Sequence, residues 1–323
     1  MTGLKSPLLA LPGAVPAEGP DEGVAAHYGE LFGEQRRLSR GEGFVDLSHR
    51  GVVTVTGPDR LGWLHLLLTQ HVSELPPQRA VEALVLSANG HVEHALSLVD
   101  DGTTTWAHVE PGTQGALVAY LESMKFFYRV EVADATADYA VVHLPAGSDG
   151  SAEGAAAVRE LPYGRDLFVP RAELEKLTAG YGPAAGVWAY EALRIEGHRP
   201  RLGFETDHRT IPHEVDWLRT AVHLQKGCYR GQETVARVHN LGRPPRRLVF
   251  LHLDGTEEVL PPHGTEVRLA SDPDGRALGF VTSSARHHEL GPIALALVKR
   301  NVPVDAVLLA GTVPGTQDVI VPQ

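Results

Sequence analysis

A chain of 323 residues, 43% hydrophobic and 21% charged, is long enough for roughly two or three domains with sizeable cores, and its composition is ordinary for a globular protein. Its net charge of −11, from 29 basic and 40 acidic residues, argues against broad non-specific nucleic-acid binding. A single cysteine excludes an internal disulfide, a multi-cysteine zinc site and an iron–sulfur cluster held by this chain alone. No apolar run is long enough to span a membrane. Pro7–Val15, interrupted by proline and preceded only by Lys5, makes a poor signal peptide, so a cytoplasmic, reduced setting is expected.

Residues 1–30, rich in Gly, Pro and Ala without periodicity, read as a flexible N-terminal tail. A first α+β segment is expected over 31–135. In it Phe44–His49 and Gly51–Thr56 read as strands, and Gly57-Pro58-Asp59 opens a helix with Leu61, Leu64, Leu68 and Val72 on one face. Val81–Ser87 and Val92–Val99 form a hairpin around the Asn89-Gly90 turn, followed by a strand Thr103–Val109, a helix Gln114–Phe127 and a strand Val130–Val132. A second α+β segment is expected over 136–242. Its strands are Tyr139–Leu144 and Leu167–Val169, and its helices are Arg171–Ala179 and Ala184–Glu196. The latter helix should bury Val187, Trp188, Ala192 and Ile195 and stop at Gly197. Over 243–323 the pattern changes to short strands at Leu248–Leu253, Glu266–Leu269, Leu278–Thr282, Ile293–Val298 and Val304–Leu309, which predicts a small β-barrel. The fold class is α+β with antiparallel sheets.

The stretch Lys226-Gly227-Cys228-Tyr229-Arg230-Gly231-Gln232-Glu233 holds the only cysteine, between glycines. A helical pattern follows, with Val235 and Val238 on one side and Gly242 as its stop. The helix dipole, Lys226 and Arg230 would each favour the Cys228 thiolate. The competing reading is a buried, inert thiol, because free cysteine is among the most buried residue types.

The octapeptide also matches the K-G-C-[FY]-x-G-Q-E motif of YgfZ-type folate-binding proteins, relatives of the glycine-cleavage T-protein (aminomethyltransferase). Further resemblances are Val55–Arg60 to the family's early strand-to-helix corner and Leu193-Arg194-Ile195-Glu196-Gly197 to the R-[IL]-E-x-G segment of its folate site. Ile211-Pro212-His213-Glu214 resembles the loop that follows that segment, and Gly279–Ser283 and Gly291–Val298 resemble the terminal barrel. The resemblance implies a three-domain cloverleaf around a central cavity, with two α+β folate-binding segments and a C-terminal β-barrel. It implies tetrahydrofolate or a derivative as cofactor, with Glu196 as the pteridine anchor, since a carboxylate can accept from a ring N–H and an amino group at once. Arg194, Tyr229, Arg230, Gln232 and Glu233 are the other expected folate-binding residues, and Cys228 and Lys226 the chemically active pair. In the structural alternative, Glu191 and Arg194 form an i,i+3 pair worth about 0.2–0.5 kcal/mol, and Glu196 is simply solvated.

The Gly90–His94 segment resembles the T-protein hairpin G-x-x-D-D, whose aspartate serves aminomethyl transfer. His94 stands at that aspartate's position, and a one-residue slip would put Glu93 there instead. Histidine offers one acceptor when neutral and none when charged, which argues against transferase chemistry. None of the 17 histidines falls in a ligand pattern, so no metal site is expected. His49, in Asp46-Leu47-Ser48-His49, lies where T-protein relatives have a D-x-S-H run, and reads as a structural histidine. From Lys226 to Arg247 the basic residues Lys226, Arg230, Arg237, Arg243, Arg246 and Arg247 suggest a patch for folate glutamate tails or RNA phosphates. Tyr229 is the one aromatic there, so direct RNA binding is weakly supported.

The resemblance implies a tetrahydrofolate-binding protein that supports iron–sulfur cluster assembly or repair. Its partners would be assembly or client proteins, and its effects on tRNA modification indirect. A folate-dependent aminomethyltransferase with a lipoyl carrier partner is the alternative that a carboxylate at the hairpin position would favour. A cysteine-nucleophile enzyme is the alternative that a covalent Cys228 adduct would favour.

Overall fold

The computed structural model describes residues 4–256 and 259–321. The chain divides into two compact units, one of Met1–Leu84 and His94–Tyr190, the other of Val85–Glu93 and Glu191–Gln323. The class is α+β, with two five-stranded sheets and a closed barrel.

The first sheet runs in the order Ala157–Leu161, Gly164–Pro170, Tyr139–Pro145, Phe44–Asp46, Ala184–Ala185, and only the last pairing is parallel. The near-continuous apolar run of Tyr139–Pro145 is buried on both faces. Ala140, Val142 and Leu144 meet Leu8, Phe44, Leu167, Val169 and Leu174 on one side. Val141 and His143 alternate to the other side. There Phe168 lies 5.7 Å from the Trp106 ring of the second sheet. That sheet runs Val81–Leu86, Val92–Asp100, Thr104–Val109, Gly51–Thr56, Glu131–Asp134. Between the sheets Asp166 accepts from His143 Nδ1 (2.8 Å), His108 Nε2 (3.1 Å) and Arg159 Nη1 (2.9 Å). Burial alone would raise this carboxyl, but the bonds from His108 and His143 outweigh it and hold Asp166 well below the usual carboxylate range. Buried charge is tolerated here because both carboxylate oxygens accept hydrogen bonds and Arg159 balances the charge.

The barrel strands neighbour one another in the order Arg246–Leu253, Gly291–Lys299, Gly279–His287, Glu266–Leu269, Leu308–Ala310, Val313–Val319, the last pairing back to the first. Val249, Leu251 and Leu253 alternate inward to meet Val267, Val281, Ala294, Ala296, Val298 and Leu308. The closing strand Val313–Val319 has no expectation in the sequence. Its Val-Pro-Gly-Thr-Gln-Asp-Val run lacks apolar alternation, and only Val313 and Gly315 in it are buried.

Three expectations are corrected. Residues 4–30 are no tail: Val15–Pro16 pairs with Ala25–His27, and Leu8, Val24, Ala25 and Ala26 are buried. Ser6 Oγ donates to Asp46 Oδ2 (2.5 Å), so Gly and Pro here shape turns in a packed segment. Residues 1–3 lie outside the described residues. The helix expected to reach Phe127 ends at Ser123, and Phe126 and Phe127 are exposed beyond it. Trp188, expected in a buried stripe, is 53% exposed, with its ring 5.2 Å from His27. The helix begins at Val187, after the short strand Ala184–Ala185, and it does bury Val187, Ala192 and Ile195.

Candidate functional site

The octapeptide forms a loop that leads into the helix Gln232–Leu241, with Gly231 as N-cap at φ 83° and Gly242 as C-cap. A Cβ at Gly231 would lie 2.6 Å from the Ser87 carbonyl oxygen and 2.9 Å from Gly90 Cα. Gly90, at φ 80°, would in turn press a Cβ against Thr234 at 2.7 Å. The two glycines therefore let the hairpin turn 87–90 and the start of the motif helix meet backbone to backbone. Arg230 Nη1 donates to Glu93 Oε2 at 2.9 Å on the same hairpin, and Val92 N–H donates to the Thr210 carbonyl at 2.9 Å. The hairpin tip, the 207–214 loop and the cysteine motif are thus one assembly.

Within it Cys228 is exposed. It lies three residues before the N-cap, outside the first turn where the helix dipole acts. Lys226 is buried, its Nζ 5.1 Å from the centre of the Tyr229 ring, and desolvation pushes its ammonium down to about 8. Burial pushes the Tyr229 phenol up to about 12. Gln232 and Glu233 open the helix, and Glu233 is exposed there as an acidic residue in the first turn.

Arg194 is buried at the end of the helix Val187–Glu196. Its guanidinium donates to Glu191 Oε2 (2.9 Å), the Arg199 carbonyl (2.6 Å), Glu205 Oε2 (3.1 Å) and Ser283 Oγ (2.7 Å). Glu205, fully buried, also accepts from Thr282 Oγ1, Ser283 Oγ and Arg201 N–H. Arg201 meets the other oxygen of Glu191 at 3.0 Å. Each nitrogen of Arg194 is thereby committed to tying the helix end to the following loop and to the barrel. Sequence reasoning missed Glu205 and Arg201, which follow the helix in a stretch without periodicity.

Glu196 is the last helical residue, and its side chain is 46% exposed. One oxygen lies 3.5 Å from His287 Nε2 at the end of the barrel strand Gly279–His287. Its other lone pairs can accept neighbouring donors from a planar heterocycle.

The expected basic patch is largely internal. Arg246 bonds Asp207 (2.6 Å) and Glu214 (2.8 Å), and its hydrogen bonds hold the Asp207 carboxyl well below the usual range. Arg247 is buried on a barrel strand and donates to the Val302 carbonyl and Gln317 Oε1. Arg230, on Glu93, Arg237 and Arg243 are the exposed arginines of the set. Glu214 closes its own loop by accepting the Ile211 N–H, and His213 beside it is pushed down to about 4, chiefly by burial. His94 is half-buried with its ring 6.2 Å from Tyr120, whereas Glu93 alternates to the opposite side. His49 meets Asp21 at 3.0 Å. Among the described residues no group of three or more His, Cys, Asp or Glu side chains could hold a metal ion.

Comparison with known proteins agrees with this geometry. Residues 246–314 match the glycine cleavage T-protein C-terminal barrel domain. An aminomethyltransferase of Geobacillus kaustophilus is 30% identical over 332 residues, covering 86% of this chain and 85% of that protein. The chain belongs to the glycine-cleavage T-protein (aminomethyltransferase) family. The mitochondrial iron-sulfur cluster assembly factor IBA57 homolog of Mycosarcoma maydis is 26% identical over 301 residues, 78% of this chain and 73% of its own. The crystal structure of glycine cleavage system aminomethyltransferase T from Bartonella henselae shares the fold, with a TM-score of 0.80 at 17% identity over 97% of this chain and 94% of that one.

Proposed function

We propose that this family member is a YgfZ-type protein that binds tetrahydrofolate or a derivative and supports iron–sulfur cluster assembly or repair through Cys228. Any effect on tRNA modification is indirect, and the setting is cytoplasmic. The observation that carries this reading is the cysteine loop itself. Cys228 is exposed on a loop locked to the hairpin by Gly231 and Gly90, and the only acid beside the family's aspartate position, Glu93, is engaged by Arg230. The likeness to the Mycosarcoma maydis assembly factor supports the cluster-related role.

The half-exposed carboxylate at the helix end fits a reduced pterin: Glu196 would accept its ring N–H and amino group together. Arg194 would act by fixing the helix end. The bound folate would supply a one-carbon carrier, and the chain's own part is to orient it. Lys226, two residues before Cys228 and with its ammonium pushed down to about 8 by burial, is the second residue of the loop that the proposal assigns to chemistry. The aminomethyltransferase reading is the second one, favoured by the name of the Geobacillus kaustophilus relative. Calorimetric titration with folates differing in their one-carbon substituent tests the proposal. Binding of reduced folate is expected, and absence of any binding would end it.

A further inference from the structure

We propose that His287 is the positioning residue for Glu196, holding its carboxylate ready for the pterin donors. The inference rests on the reading of Glu196 as the pterin anchor. His287 is 3% exposed at the end of a barrel strand. Its Nδ1 faces two backbone donors, Glu289 N–H at 3.2 Å and Leu290 N–H at 3.1 Å. A ring nitrogen that accepts N–H groups carries no proton, so the proton of the neutral imidazole sits on Nε2. That buried Nε2 makes no close hydrogen bond, and what it faces is the Glu196 carboxylate at 3.5 Å. The turn after the strand thus fixes the tautomer, and the tautomer aims a donor at Glu196.

Glu196 needs such a hold. It is a long side chain at the last position of a helix, half in solvent, and ordering it on ligand binding costs rotamer freedom. A donor that restrains it beforehand lowers that cost. The hold also leaves room for the ligand, because a carboxylate has about four acceptor sites and His287 takes one.

The test is a double-mutant cycle in tetrahydrofolate affinity, measured by calorimetry. His287→Asn keeps an oxygen near the Nδ1 position for the Glu289 and Leu290 N–H groups but loses the donor at Nε2. It should weaken binding about 5-fold in the wild-type background. In the Glu196→Gln background it should add no further loss, and His287→Gln, whose amide reaches the Nε2 position, should restore affinity. Equal loss in both backgrounds would overturn the proposal. A ligand-free measurement separates its failure from that of the folate reading. Long-range 15N spectra should show His287 protonated at Nε2, with that resonance moving in Glu196→Gln. A proton on Nδ1, or an Nε2 resonance indifferent to Glu196, would sink the proposal. Absence of folate binding together with a shifted Nε2 would instead remove Glu196 as pterin anchor while keeping its contact with His287.

Discussion

Glu196 and Cys228 have different surroundings, and each carries its own consequence. Glu196→Ala removes a carboxylate that would accept two pterin donors, so tetrahydrofolate affinity should fall by about 2–4 kcal/mol. Calorimetry on the variant checks this, and unchanged affinity would take Glu196 out of the site. The octapeptide was legible in the sequence because its eight residues are contiguous and chemically distinctive. The partners that fix it were not. Glu205 and Arg201 lie beyond the helix that carries Arg194, and only the folded chain brings Glu205 to its guanidinium and Arg201 to the Glu191 carboxylate that Arg194 also bonds. Nor does the sequence reveal that Lys226 is buried while Cys228, two residues on, is exposed.

At the level of elements, the hairpin turn and the motif helix meet through two glycines. Gly231→Ala places a Cβ 2.6 Å from the Ser87 carbonyl in a backbone at φ 83°. It should cost about 1–3 kcal/mol of stability, and a urea midpoint matching the wild type would refute the interlock. The 211–214 loop gives a pH effect. Burial holds His213 at about 4, below its usual 6.5, so the unfolded chain takes up a proton that the folded chain refuses. Stability is therefore full above pH 6.5 and declines as pH falls toward 4. His108 and His287, also lowered by burial, act in the same direction. Urea midpoints at pH 7.5 and 4.5 should differ less in His213→Phe than in the wild type, and an equal difference would exclude His213. Elements with clear periodicity were readable in advance, such as the helix over 232–241 and the strand at 266–269. The strand Val313–Val319 was not, because pairing rather than patterning places it. The N-terminal residues misled for a related reason: their burial comes from Leu8 joining a core built by strands far along the chain.

For the whole molecule, the fold and the family agree. The barrel match and the 30% identity over most of the chain establish the family. The hairpin sets the prediction: on the proposed reading His94 takes the place of the transferase aspartate, and Glu93 is held by Arg230. Purified protein given an aminomethylated lipoyl carrier and tetrahydrofolate should show no transfer. Clear turnover would restore the transferase reading, with Glu93 in the aspartate's role.

The most direct test of the account is Cys228→Ala in a strain deleted for this protein, read by the activity of iron–sulfur enzymes. Cys228 is exposed, so the variant should fold and still bind tetrahydrofolate. The account predicts that it nevertheless fails to restore those activities. Full restoration by Cys228→Ala would contradict it.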